Sequence, residues 1–234
     1  MMNKMIRIKT SNKILIGLIV GLFAAISTVI IINGNKYRAD NEINLELNSL
    51  VQILEFSNIK VEGNLTISVI KGEEAQLYVT NEIINDRALK ISTDADTLMV
   101  AFNDTLSKSN VKHKIIIQMP ELNSIATKNT GELKIGNFSG DSLSIKADNC
   151  WVNVDLIDFK HIAIELNNNA NLWAKGIVTK HLILQLFNNS ICSCTPVNAN
   201  KVSGIINDRS KFVYNGAVSE IHLKLDSTSW INKY

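Results

Sequence analysis

Cysteine is scarce, with three residues in 234, at positions 150, 192 and 194. An odd set of this kind excludes a disulfide framework. With Cys150 the first of them, no lipid-modified cysteine can follow an N-terminal apolar run. Acidic residues are missing from residues 1–38, which hold six of the 24 Lys and Arg. Residues 39–234 therefore carry 18 basic and 22 acidic side chains, a net charge of −4. That balance excludes the clustered basic face that nucleic acid requires, so no nucleic-acid partner is expected.

Charge is also absent from the 19 residues Ile14 to Ile32 (ILIGLIVGLFAAISTVIII). As a helix rising about 1.5 Å per residue they span roughly 28 Å, close to the ~30 Å hydrocarbon core of a bilayer. A cleaved signal peptide has a shorter apolar region of about 7–15 residues ending at a small-x-small site, and no A-x-A follows here. The expectation is an uncleaved transmembrane signal-anchor at 14–32. Lys4, Arg7, Lys9 and Lys13 precede it, against Lys36 and Arg38 just after. The positive-inside bias then makes residues 1–13 a cytoplasmic basic segment and exports the rest. The chain reads as a single-pass inner-membrane protein whose C-terminal domain is periplasmic or extracellular. Residues 33–49 are polar and read as a linker, and residues 50–234 as the exported domain.

Within that domain apolar residues alternate with polar ones, at Ile59 and Val61, Leu65, Ile67 and Val69, Leu77 and Val79, Leu98 and Val100, and Ile115 to Met119. Period-two spacing puts one side of each strand in a core. Asn103 to His113 reads as a loop, and Pro120 closes the strand before it because proline cannot donate to a ladder.

From residue 140 onward the alternation repeats. Leu143, Ile162, Leu182, Val202 and Ile221 each open an apolar stretch and fall 19, 20, 20 and 19 residues apart. KHIAIELNNNA (160–170) and KHLILQLFNNS (180–190) are two copies of one text. Each stretch ends in an Asn/Asp corner, at 148–149, 167–169, 188–189, 207–208 and 226–227. A second inward pair follows: Val152/Val154, Leu172/Ala174, Cys192/Cys194 and Phe212/Tyr214. A fixed period of about 20 residues marks an array in which each repeat buries its inward side chains only by stacking on its neighbours. The fold class predicted is all-β, a parallel β-helix or β-solenoid of about 19–20 residues per coil, preceded by the transmembrane helix. Asn and Asp suit the corners because they tolerate left-handed backbone, and stacked amides can hydrogen-bond along the axis.

FSNIKVEGNLTISVIKG (Phe56 to Gly72), KIIIQMPELNSI (Lys114 to Ile125) and the coils that follow resemble the head GIN domain family, a group of proposed autotransporter adhesins of Bacteroidetes-type envelopes. The resemblance covers roughly residues 50–234. It implies export, a parallel β-helix and adhesion. It brings no catalytic residue with it, and the corners here are Asn-rich where the family favours glycine.

Trp151 and Trp173 have the parity opposite to inward Val152 and Leu172, so both should face out of one wall on adjacent coils. Exposed aromatics on a flat β surface suit a glycan or a protein partner in the envelope, and the alternative is cover by the N-terminal sheet or another subunit. GDSL at 140–143, with Asp158 and His161 after it, looks like two blocks of an esterase triad. A triad is recognised by geometry, however, and the strings read more simply as a turn between coils. His161 and His181 should stack about 4.8 Å apart beside Lys160, Lys180 and Lys201, a solvated basic edge. A structural metal site usually has four ligands, so neither a metal nor a cofactor is expected. Cys192 and Cys194 sit where other coils place core residues and are poorly placed to bond each other. Outward acids (Asp155, Glu165, Glu220) are sparse and unaligned. A non-enzymatic, membrane-anchored envelope protein with an adhesive or interaction surface is thus the leading reading. A β-helix polysaccharide-active enzyme and a structural or signalling partner of another membrane protein are the alternatives.

Overall fold

The computed structural model describes residues 48–51, 55–80, 88–103 and 113–234, which belong to one compact unit, Glu46–Tyr234. The expected basic segment, the membrane span and nearly all of the linker lie outside the described residues. The regular structure described is all β. Nine short strands come first: β1 (Asn48–Val51), β2 (Asn58–Glu62), β3 (Leu65–Lys71), β4 (Gln76–Thr80), β5 (Leu89–Asp94), β6 (Thr97–Phe102), β7 (His113–Met119), β8 (Ser124–Lys128) and β9 (Glu132–Ile135). Five long ones follow, β10 (Phe138–Asp148), β11 (Trp151–Asn167), β12 (Asn171–Leu186), β13 (Ile191–Ile206) and β14 (Lys211–Leu225), and then β15 (Trp230–Lys233).

The long strands are bent circuits, and their burial shows where they bend. In β11 Val152, Val154, Ile157, Phe159, Ile162, Ile164 and Leu166 are buried, but the strict alternation breaks at Asp155–Leu156 and again at Lys160–His161. Two successive outward residues mark a bend, because a flat strand sends neighbours to opposite faces. Each circuit therefore has three walls. Wall A runs through 162–166 and wall B through 151–154. Wall C, at 157–159, is a third inward stretch that the sequence reading did not separate out.

From β8 and β9 onward the stacking is parallel and nearly gap-free. On wall A, Ile59, Ile125, Ile145, Ile164 and Leu184 form one inward file. On wall B the file is Ile67, Leu133, Val152, Leu172, Cys192, Phe212 and Ile231. The expected marks Leu143, Ile162, Leu182, Val202 and Ile221 fall in one register. Burying each such Leu or Ile is worth about 1.5–3 kcal/mol, which makes these files the main stabilising element.

The corners between walls A and B carry the asparagines. Asn149, Asn168, Asn169, Asn188, Asn189 and Asp208 all have positive φ. The Asn188 side-chain amide donates to Asn168 Oδ1 (3.2 Å), and that of Asn168 to Asp148 Oδ1 (2.9 Å). Small buried residues turn the chain just after each corner: Thr130, Cys150, Ala170, Ser190 and Ser210, one every twenty residues.

Two expectations are corrected. The stack is not wholly parallel, since β4 runs antiparallel to β7 and β1, and β5 antiparallel to β6, at the N-terminal ends of walls B and A. Period-two alternation is the same in both kinds of ladder, so it cannot report strand direction. The loop expected through His113 ends earlier, because His113 opens β7 in register with Leu65. Its ring is buried against Phe102, with centroids 4.8 Å apart, and neither of its nitrogens has a hydrogen-bond partner among the described residues.

The C-terminal circuit is different again. Ile221 and Leu225 are 40% and 39% exposed, although Val202 and Ile206, one circuit earlier, are fully buried. Val218, Leu223 and Ile231 are only half-buried.

Candidate functional site: an aromatic wall

The outer face of wall B places Trp151 and Trp173 on adjacent circuits, as their parity requires. They lie diagonally, since Trp151 pairs with Asn171 and Trp173 with Asn153. Their rings meet edge to face at 5.8 Å and 79°. Both remain exposed, at 52% and 55%, so within the described chain the N-terminal sheet does not cover them. Edge-to-face contact holds each indole in place while leaving ring surface for a ligand.

Polar neighbours complete the face. Asn153 donates to Glu132 Oε1 (2.9 Å), and Asn171 to the carbonyl of Asn169 (2.8 Å). The charges around the two indoles are paired within the chain, Lys134 with Glu132 (3.6 Å) and Lys175 with Asp155 (2.8 Å). The resulting patch is aromatic and amide-rich, with little unpaired charge. The sequence reading missed Trp230, which lies in the same outward file as Trp151, running through Asn171, Ile191 and Lys211. Four ladder steps of about 4.8 Å separate the two indoles by roughly 19 Å. Lys211 Nζ sits 4.3 Å from the Trp230 ring centre. The nineteen-residue offset from Lys211 is the signal that could have found it.

The other candidates fall apart chemically. Ser142 pairs across the ladder with His161, yet no hydrogen bond joins Ser142, His161 and Asp158. Asp141 is held by Lys160 (2.6 Å), whose hydrogen bond and charge keep that carboxyl below its ordinary pKa. His161 and His181 do stack in register, ring centres 5.2 Å apart. Among the described residues no three His, Cys, Asp or Glu side chains gather as a metal site. Cys192 and Cys194 are buried free thiols 3.6 Å apart at Sγ, as core residues should be. The hydrogen bond to Cys194, together with burial, pushes the Cys192 thiol well above its ordinary pKa.

The family described as "Putative auto-transporter adhesin, head GIN domain" matches residues 55–190. The chain belongs to the head GIN domain family. Crystal structures of two proteins described as putative adhesins share the fold. That from Bacteroides fragilis NCTC 9343 is 14% identical at a TM-score of 0.59, covering 80% of this chain and 96% of that one. That from Parabacteroides merdae ATCC 43184 is 15% identical at 0.50, covering 80% and 95%. No curated protein matches the head GIN chain described here.

Proposed function

We propose that this head GIN protein is a membrane-anchored, non-enzymatic module of the cell envelope that adheres through the aromatic face of wall B. The observation that carries the reading is the pair Trp151 and Trp173, packed edge to face and both more than half exposed on a flat parallel wall. Large apolar rings left facing water are unfavourable, and a contiguous exposed patch of this kind is where a partner gains most. With its neighbouring charges paired internally, the face suits a neutral glycan or an uncharged protein surface better than a polyanion. Anchorage at Ile14 to Ile32 would present that face outside the inner membrane.

The test is a titration of the full chain, held in a mild detergent, with a panel of neutral and charged glycans, following tryptophan fluorescence and product release together. Quenching by a neutral glycan that disappears in the Trp151→Ala/Trp173→Ala double variant, without product, supports the reading. Release of product from any polymer defeats the non-enzymatic part of it.

A further inference from the structure

Among the described residues, capping strands lie at one end of the solenoid only. Antiparallel β4 and β1 close wall B, and β5 closes wall A, at the N-terminal side. At the opposite side no described strand pairs with residues 216–225 of β14 on the edge away from β13. The same circuit exposes Ile221 and Leu225, at positions that are interior everywhere above it. An open edge lying over an open apolar column is the surface a stacked unit ordinarily covers.

We propose that this end binds the same end of a second copy of the chain, residues 220–224 of the two β14 strands pairing antiparallel across a two-fold axis at His222. Such a contact is isologous and closes on itself. The charge pattern selects the occupant and the register. Centred on His222, Glu220 faces Lys224 of the partner subunit and Lys224 faces Glu220 of the partner subunit. On the interior side Ile221 meets Leu223 of the partner subunit, twice by symmetry. Moving the axis to Leu223 would set Glu220 against Asp226, and like charges directly opposite are destabilising. Moving it to Ile221 would face Glu220 with His222, which already meet within one chain (3.4 Å), and would leave Lys224 opposite Val218 without a partner of opposite charge. Axes between residues would put interior side chains against exterior ones, the penalty of a one-residue slip.

A cysteine on the axis reads the contact in the full chain. Residues directly opposite in an antiparallel pair have Cα atoms about 4.5–5.5 Å apart, within disulfide span. His222→Cys should form a reducible dimer under mild oxidation, with the cross-link confined to the introduced thiol because the three native ones are buried. Adding Lys224→Glu turns both cross-strand pairs into like charges and should cut the cross-link about tenfold. Adding Glu220→Lys as well restores opposite charges and should return the yield to that of His222→Cys alone. Unchanged circular dichroism shows that each variant keeps the β fold, as is expected for exposed positions. The proposal is overturned by absence of the dimer, by a dimer indifferent to Lys224→Glu, by failure of the swap to recover it, or by capture of the introduced thiol only by a different protein.

Discussion

Left-handed backbone at the corners is assigned to Asn at 129, 149, 168, 169, 188 and 189 and to Asp at 208, but at 209 it falls to arginine, with φ of 64°. A long L side chain in that region costs about 1–2 kcal/mol, a penalty Asn partly escapes through local hydrogen bonding. Arg209→Asn should therefore stabilise the domain by about 0.5–1 kcal/mol, seen as a rise of roughly 1–4 °C in thermal denaturation. The backbone N–H of Arg209 donates to Thr228 Oγ1 (3.0 Å), and the change leaves that bond intact. Asp226 gives the corner a pH dependence. The Asp208 N–H donates to its carboxylate at 2.7 Å, with further bonds from Thr228, and holds its pKa at about 2 instead of 3.8. A depressed folded value means that its contribution is complete above about pH 4 and is lost as the pH falls through about 2. In urea unfolding, the advantage of the wild type over Asp226→Asn should persist from about pH 7 to 4 and shrink between about 4 and 2. An advantage that stayed constant across that window would show that the carboxylate contributes nothing through its charge. These corners were the most readable part of the chain, because few residue types tolerate the geometry and they recur at a fixed interval.

At the scale of a strand, the inward file of wall A is interrupted once, at Gly204 between Leu184 and Leu223. Its φ is +141°, and a Cβ there would stand 1.8 Å from the Leu184 carbonyl oxygen. Gly204→Ala should cost at least about 2 kcal/mol, combining a glycine-only backbone with a clash against main chain. Chemical denaturation measures it, and a loss near zero would mean that the β13 backbone relaxes freely. Wall A was legible because three alternating inward positions, such as Ile162, Ile164 and Leu166, recur in each circuit. Wall C was not: it is three residues long, its two inward positions vary from Ile and Phe to Ile and Thr to Val and Ala, and bends on both sides break the alternation. Leu156 adds to the confusion, being apolar yet 55% exposed at a bend. The aromatic face was legible only in part, since parity identified Trp151 and Trp173 while Trp230 needed the register of a short final strand.

For the molecule as a whole, stability should grade along the axis, because in a stack each circuit is secured by its neighbours. Leu184→Ala, at a fully buried side chain with circuits on both sides, should cost about 2–5 kcal/mol. Leu225→Ala, at the open end, should cost less than about 1 kcal/mol, since much of that side chain already meets solvent. Equal losses in denaturant unfolding would contradict a graded stack. The strand directions at the N-terminal end had no signature in the sequence, whereas the number and spacing of circuits did. The regular register from β10 to β14 also gives the chain a natural quantum of length. Removing or duplicating about twenty consecutive residues, from any point to its equivalent in the next circuit, would leave both termini of the stack chemically unchanged. The length of the solenoid could then be adjusted in increments of about 4.8 Å, so lineages carrying this architecture are free to vary in extent without reinventing either end.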